Sequence, residues 1–257
     1  MMKGAGCKMQ DAVAPDAHLH RVFTVAEVRV ENARTRTLVL GGSLPARPGQ
    51  FVMVWLPGVG EKPYSVAGAA PLTLLVADVG PFSHALHQLA PGDRVWVRGP
   101  LGQGFRLVAG RALLVGGGYG VAPLLFLARQ VIAQGGAVEV CLGARTAEEV
   151  LLADEFAAAG AGVRITTEDG SGGAPGLVTT AVEAAIAGCR PDVVYACGPV
   201  PMLEAVDRLC VEHDLPCQLS WEAHIRCGLG LCGSCERPGT GWLVCRDGPV
   251  GPAGSGR

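Results

Sequence analysis

Ala112-Leu113-Leu114-Val115-Gly116-Gly117-Gly118-Tyr119-Gly120-Val121-Ala122-Pro123 is the stretch on which the fold turns. Four uninterrupted apolar residues read as a strand buried on both faces. They run into a cluster of glycines and then into residues 121–133, where apolar side chains recur at helical spacing. The same alternation continues downstream. Residues 137–142 read as strand, 147–159 as helix, 163–166 as strand, 178–187 as helix, 193–197 as strand and 201–213 as helix. Strands that alternate strictly with helices predict a parallel, doubly wound sheet.

In such a sheet the turn after the first strand is where a pyrophosphate sits, because small residues admit the ligand and a helix N-terminus favours negative charge. Gly116, Gly117, Gly118 and Gly120 do not spell Gly-x-Gly-x-x-Gly, and a tight structural turn reads equally well from them alone. Cys197-Gly198-Pro199 follows the last strand and therefore borders the same crevice, which favours the nucleotide reading.

Upstream, the texture is different. Residues 19–30, 37–40, 50–56, 72–79 and 94–97 are short runs rich in β-branched and apolar residues, separated by turns such as Arg47-Pro48-Gly49 and Ala90-Pro91-Gly92-Asp93. Five or six short strands at this spacing predict a small antiparallel barrel. Residues 83–89 are the one helical segment within it. Ser83 is placed to act as its N-cap, and the first turn could offer backbone donors to an anion or simply close one end of the barrel.

Near the C-terminus, Cys227, Cys232, Cys235 and Cys245 fall within nineteen residues, separated by four, two and nine. A zinc ribbon usually presents two separated Cys-x-x-Cys knuckles, whereas here there is one. Four residues, then two, then a distal cysteine is the plant-type two-iron order, and it is favoured over zinc, disulfides or free thiols. Gly228, Gly230 and Gly233 suit that reading, since a loop wrapping a cluster needs close backbone approach and φ > 0. The other six cysteines, at 7, 141, 189, 197, 210 and 217, are scattered and read mostly as small buried hydrophobes.

The 257 residues allow two ordinary domains and an appendage, and 49% apolar against 17% charged residues predicts a substantial core. A net charge of −2 without a block of Lys or Arg argues against nucleic acid as partner. Residues 1–17 carry neither a long apolar run nor a cleavage site and read as a loose tail, which predicts a cytoplasmic protein. Ten cysteines in a reducing compartment point to metal ligation before disulfides. The most apolar segment, residues 112–128, is broken by glycines and Pro123 and is too short to span a membrane.

The motifs together resemble the ferredoxin–NAD(P) reductase superfamily. Lys62-Pro63-Tyr64-Ser65 is similar to its Arg-Pro-x-Ser flavin motif, and Gly116 to Pro123 and Cys197-Gly198-Pro199 are similar to its nicotinamide-nucleotide motifs. With the C-terminal cysteines and Val-Cys-x-Asp-Gly-Pro-Val after them, residues 20–251 closely resemble the electron-transfer subunits of two-component dihydroorotate dehydrogenases.

The resemblance implies an FAD-binding β-barrel at 18–106, an NAD-binding α/β domain at 107–215 and a [2Fe-2S] subdomain at 216–257. FAD would meet Lys62, Pro63, Tyr64 and Ser65, the strand Leu75-Val76-Ala77, and Phe82 and Ser83 at its phosphates. NAD(H) would meet Gly116, Gly117, Gly118, Gly120, Val121, Ala122 and Pro123. Asp169 of Thr167-Glu168-Asp169-Gly170-Ser171, and Cys197, Gly198 and Pro199 beside the nicotinamide, complete that set. Cys227, Cys232, Cys235 and Cys245 would ligate the cluster.

The implied partner is an FMN-containing dihydroorotate dehydrogenase catalytic subunit, in a heterotetramer, and the implied pathway is pyrimidine biosynthesis. Three departures stand out: Lys62 replaces the usual arginine and loses its bidentate fork, Pro81-Phe82-Ser83 replaces Lys-Gly-Thr, and the loop from Cys235 to Cys245 is on the short side. The same modules also resemble diaphorase subunits of hydrogenases, sulfite reductases and transhydrogenases. A zinc-containing nucleotide-binding scaffold is the rival of another class. His84, His87, His213 and His224 do not cluster and read as surface or cap residues. Glu222, five residues before Cys227, is placed to meet the flavin or the cluster loop, but an ordinary exposed glutamate is the favoured reading, and no acid–base side chain is required for hydride transfer.

Overall fold

In the computed structural model, which describes residues 16–252, the first half of the chain forms a closed antiparallel barrel. Its strands are β1 (Arg21–Asn32), β2 (Thr35–Gly41), β3 (Phe51–Leu56), β4 (Gly60–Ala69), β5 (Leu72–Ala77) and β6 (Arg94–Leu101), joined in the order β1-β2-β5-β4-β3-β6. Alternate residues such as Val25, Leu38, Val54, Val66, Leu74 and Val97 fill the interior. A short helix, α1 (Pro81–His87), closes one end by contributing Phe82 and Leu86 to that core.

The second half is a seven-stranded sheet ordered β10-β9-β8-β7-β11-β12-β13. Its strands are β7 (Arg111–Gly117), β8 (Ala137–Ala144), β9 (Gly162–Thr167), β10 (Ala174–Pro175), β11 (Val193–Cys197), β12 (Cys217–Ser220) and β13 (Val250–Pro252), and only β13 runs antiparallel to its neighbour. Because successive side chains of a strand point to opposite faces, β7 divides its apolar run between two cores. Leu114 packs on the face covered by α2 (Val121–Ala133) and α3 (Ala153–Ala158), and Leu113 and Val115 pack under α4 (Val178–Gly188) and α5 (Val200–Glu212). This is the expected doubly wound arrangement.

Helix α2 also packs on β4, and its Phe126 enters the barrel core, so the two halves share a wall. After β12 the chain leaves the sheet, forms the cysteine-bearing segment with its one short helix α6 (Val244–Asp247), and returns as β13. That segment lies on the outside of the barrel. Ile225, Cys235, Val244 and Cys245 pack there against Phe51, Met53 and Leu101.

Several local expectations need correction. The strand carrying Lys62 to Ser65 was not anticipated, and residues 147–159 are not one helix. A 3₁₀ turn at Ala147–Glu149 is separated from α3 by Leu152, which adopts left-handed backbone at φ 60°. Ser83 is not the N-cap of α1: Gly80 holds that place, and Ser83 is the third helical residue. Of the expected tail at 1–17, residues 1–15 lie outside the described residues, as does Cys7, and Ala17 is already buried beside the cysteine segment. No helix among the described residues is long and apolar enough to cross a membrane.

Candidate functional site

Strand β7 lies between β8, which follows it in sequence, and β11, which comes four strands later, so the strand order reverses at β7. Open parallel sheets bind ligands at such a switch point, beyond the carboxyl ends of the strands. Both glycine motifs meet there. The first residue of the second motif, Cys197, pairs in register with Gly116, and a Cβ on Gly117 would come within 3.0 Å of Pro199 and 2.8 Å of the Met202 sulfur.

Beside these turns is a cavity of about 410 Å³. Gly117, Gly118 and Pro199 line it, together with Gly143 to Arg145 at the end of β8, Glu168 after β9, and Leu177 and Met202 at the starts of α4 and α5. Gly118 has φ +52° and nothing within 4 Å of where a Cβ would stand. This bare backbone beside empty space suits a pyrophosphate, whose close approach a side chain would block.

Gly116, Gly120, Val121, Ala122 and Pro123 lie beneath this surface and are buried. Their place is to hold the turn against β11. Asp169 lines a shallow hollow next to the cavity, with Arg145, Thr146 and Glu149. Its carboxylate accepts from the Ser171 amide at 2.9 Å and hydroxyl at 2.6 Å, and those bonds hold its pKa below the usual carboxylate range. Glu168, not Asp169, reaches the cavity itself.

At the mouth of the crevice Cys197 is buried, and that burial pushes its thiol up to about 12, opposed by a hydrogen bond with Ser220 and reinforced by Glu222. Glu222 is open to solvent on one side, yet the protein packed round its other side raises its carboxyl pKa. The Tyr119 hydroxyl is raised chiefly by Glu222. These three groups therefore sense one another where the two glycine turns end, an arrangement that sequence distance conceals.

On the barrel, Lys62, Pro63, Tyr64 and Ser65 occupy β4 opposite Val54, Met53, Val52 and Phe51. Lys62 is exposed and the next three are half-buried, while Val66 and Ala67 behind them are buried. The Tyr64 ring lies 6.3 Å from that of Phe82, and burial, helped by Asp78, raises its hydroxyl pKa. On the neighbouring strand Leu75 faces α2 and Ala77 is half-buried, whereas the Val76 side chain points into the barrel core. The Ser83 hydroxyl is committed to its own turn: it accepts from the amides of Val79 at 2.9 Å and Gly80 at 3.0 Å and donates to the Gly80 carbonyl at 2.9 Å. The donor set of a lysine ammonium, a serine hydroxyl and a partly open aromatic ring fits a planar ligand with a phosphate tail.

The cysteine loop is built for sulfur ligation. Gly228, Gly230 and Gly233 have φ of +67°, +74° and +72°, the left-handed backbone expected of them. The Leu229 amide donates to the Cys227 sulfur at 3.4 Å, and the Gly230 amide to the Cys245 sulfur at 3.2 Å. Cys227 neighbours Cys232, and Cys245 neighbours Cys235 with Cys227 close enough to act on it as well. No group of three or more His, Cys, Asp or Glu side chains suited to one ion occurs among the described residues. Two irons taking two thiolates each need only pairs.

Gly228 sits where a Cβ would be 3.1 Å from Leu101 and 3.2 Å from Met53, so the loop lies directly on the barrel. Its tip points away: Leu231 is 80% exposed. Behind the loop Arg98 of β6, a residue the sequence did not single out, donates to the Cys227 carbonyl at 2.8 Å.

Of the remaining cysteines among the described residues, Cys141, Cys197, Cys210 and Cys217 are buried as expected, and Cys189 is exposed. The histidines do not gather. His84 pairs with Asp78 at 2.9 Å, and His87 is buried with its ring nitrogen 2.9 Å from the Val76 carbonyl.

A closed antiparallel barrel sharing a wall with a switch-point sheet whose crevice is lined by glycines is the architecture of ferredoxin–NAD(P) reductase-type oxidoreductases. The family described as "Oxidoreductase NAD-binding domain" matches residues 114–208, and "Iron-sulfur cluster binding domain of dihydroorotate dehydrogenase B" matches residues 222–255. The Methanopyrus kandleri protein named "Probable dihydroorotate dehydrogenase B (NAD(+)), electron transfer subunit" is 44% identical over 88% of this chain and 87% of its own length. A protein of the same name from Thermococcus kodakarensis is 42% identical over 90% of this chain and 96% of its own. The solved structure of an NADH-dependent reduced ferredoxin-NADP oxidoreductase superposes with TM-score 0.82 at 30% identity, over 90% of this chain and 88% of that one. The chain belongs to the family of dihydroorotate dehydrogenase B electron-transfer subunits.

Proposed function

We propose that this chain carries electrons between NAD(H) and an FMN-containing dihydroorotate dehydrogenase catalytic subunit, through FAD and a [2Fe-2S] cluster, in pyrimidine biosynthesis. The observation that carries this reading is the seating of the cysteine loop: its base rests on barrel strands β3 and β6 while Leu231 at its tip is open to solvent. An electron leaving the barrel side through that loop emerges at a surface a partner can cover. When bound, the flavin exchanges a hydride for single electrons, and the cluster conducts them singly.

The protein's own groups position the reactants. Gly117, Gly118 and Pro199 receive the nucleotide pyrophosphate beside the cavity, Gly116, Gly120, Val121, Ala122 and Pro123 hold that turn in place, and Glu168 and Asp169 face the adenosine end. Cys197 and Gly198 border the nicotinamide. Lys62, Pro63, Tyr64, Ser65, Leu75 and Ala77 hold the flavin, with Val76, Phe82 and Ser83 contributing backbone. Cys227, Cys232, Cys235 and Cys245 hold the cluster. In these terms residues 18–106, 107–215 and 216–257 serve FAD, NAD(H) and the cluster, although β12 and β13 tie the last segment into the nucleotide-binding sheet. We place the protein in the cytoplasm, a compartment that suits its free thiols, and in a heterotetramer with its catalytic partner.

Purified protein should show flavin and iron–sulfur absorption and should reduce NAD+ with dihydroorotate only when the catalytic subunit is added. A colourless protein with stoichiometric zinc would overturn both cofactors. The likeness to the NADH-dependent reduced ferredoxin-NADP oxidoreductase supports a second reading, a diaphorase subunit of another complex. Coloured protein that binds no dihydroorotate dehydrogenase subunit would favour it.

A further inference from the structure

We propose that Arg98, restrained by Glu61, sets the reduction potential of the cluster held by Cys227 and its three companions. This rests on the reading above that these cysteines hold a [2Fe-2S] group. Arg98 stands on β6 next to the loop, and its side chain is 7% exposed. One face of its guanidinium is gripped by Glu61 of β4, Nε to Oε1 and Nη2 to Oε2, both at 2.7 Å. The same Nη2 donates to the carbonyl oxygen of Cys227 at 2.8 Å. Nη1 is buried without a hydrogen-bond partner, a state rare enough in folded proteins to require a reason.

The pair is asymmetric. Glu61 is 23% exposed and also meets His20 at 2.9 Å, so water and a second donor screen its charge. Arg98 lies between Glu61 and the loop, away from water, where charges are screened least. The loop thus faces the positive end of the pair. One electron arriving at the cluster adds one negative charge to a group that its four thiolates already make anionic, with no bond made or broken. A buried cation bonded to a ligand's own carbonyl favours that added charge, and charge and hydrogen bonding near the sulfurs are levers on cluster potential. Arg98 thus brings a cation from the barrel side onto the backbone of a cluster cysteine.

The test is an anaerobic redox titration of the holoprotein, followed by the electron paramagnetic resonance of the reduced cluster, with iron and flavin content measured for each variant. Arg98→Gln should shift the one-electron equilibrium toward the oxidised form by about tenfold, which is about 59 mV. Glu61→Gln should shift it the opposite way, because the cation loses its counter-charge. Arg98→Lys keeps the charge and loses the fork, and should stay within about twofold of wild type, a result that geometry alone would not give. The flavin potential should move less than that of the cluster in every variant.

Unchanged potentials in Arg98→Gln and Glu61→Gln, or shifts of both in one direction, would overturn the proposal. If Arg98→Gln fails to retain iron, Glu61→Gln decides: a raised potential supports the proposal and an unaltered one overturns it. Wild-type protein without an iron–sulfur signal would instead overturn the cluster reading on which it stands.

Discussion

Gly120 lies bare against the carbonyl of Cys197: a Cβ at position 120 would stand 2.6 Å from that oxygen. The two turns of the nucleotide crevice are therefore packed backbone to backbone, with no room for a methyl group. Gly120→Ala must push the turn after β7 away from β11. It should raise the KM for NADH at least about tenfold, equivalent to about 1.4 kcal/mol, while flavin content stays at the wild-type level. Unchanged steady-state kinetics in a folded variant would show that the close packing has no part in nucleotide binding.

Cys232 is exposed near the tip of the loop. Cys232→Ser should abolish transfer to the catalytic subunit while NADH oxidation with an artificial dye acceptor stays within about twofold, since a hydride acceptor upstream of the loop is untouched. Equal loss of both activities in folded, flavin-loaded protein would contradict a cluster that acts after the flavin.

Leu231, 80% exposed, belongs at the centre of the partner contact if the loop is the exit. Buried apolar anchors at interfaces cost more than about 1 kcal/mol on truncation. Leu231→Asp should weaken association with the catalytic subunit by about tenfold or more, measured by surface binding, with no change in dye reduction. Association at wild-type strength would move the contact elsewhere.

Burial would raise the Glu61 carboxyl pKa, but hydrogen bonds from Arg98 and His20 outweigh it and hold the group below its ordinary value of 4.5. A depressed carboxylate contributes stability above its unfolded pKa and loses it as pH falls through the folded one. Glu61→Gln should therefore unfold more easily than wild type at pH 7, by about 1–3 kcal/mol. The gap should close as the pH is lowered below 4.5. Thermal midpoints of the two proteins across that range check it, and a gap independent of pH would count against the ion pair.

Cys141 and Cys197 are buried with thiols pushed up to about 12, while Cys189 is exposed. Alkylation of cluster-loaded protein near neutral pH, read by peptide mapping, should label Cys189 and spare the other two. Rapid labelling of Cys197 would mean that the packing around it at the crevice opens in solution.

The parts of this fold that announce themselves in sequence are those whose burial is complete. Leu113, Leu114 and Val115 are covered on both faces, so their run is unbroken, and the helices over them carry regular apolar stripes. Strand β4 was hidden because it is only half-buried where Lys62, Pro63, Tyr64 and Ser65 lie and is finished by small residues, Ala67, Gly68 and Ala69, that carry little strand signal. The expected helix across residues 147–159 failed because Val150, Leu151 and Leu152 match a helical stripe, while the backbone at Leu152 turns left-handed. Ser83 looked like a cap because serine at a helix start usually is one, and its hydroxyl does brace that turn, from inside it. The cysteine spacing was legible because chain length restricts which thiols can meet. Gly143 and Arg145 were not, since each strand end lends the cavity only a few residues and no local pattern marks them, whereas Glu168 lay in the quoted turn, one place from the expected Asp169. Arg98 was invisible for a similar reason: an arginine in a strand acquires meaning only from what crosses behind it.

The cysteine segment leaves the sheet after β12 and re-enters it as β13, the antiparallel neighbour of the strand it left. Departure and return are adjacent, so the whole segment is a detour in a chain that could otherwise turn directly from one strand to the next. Such a detour can be lengthened, trimmed or exchanged without rethreading the barrel or reordering the sheet. Families built on this scaffold could therefore acquire new redox partners by altering one stretch of some thirty residues, from Trp221 to Pro249, leaving the machinery that meets the nicotinamide untouched.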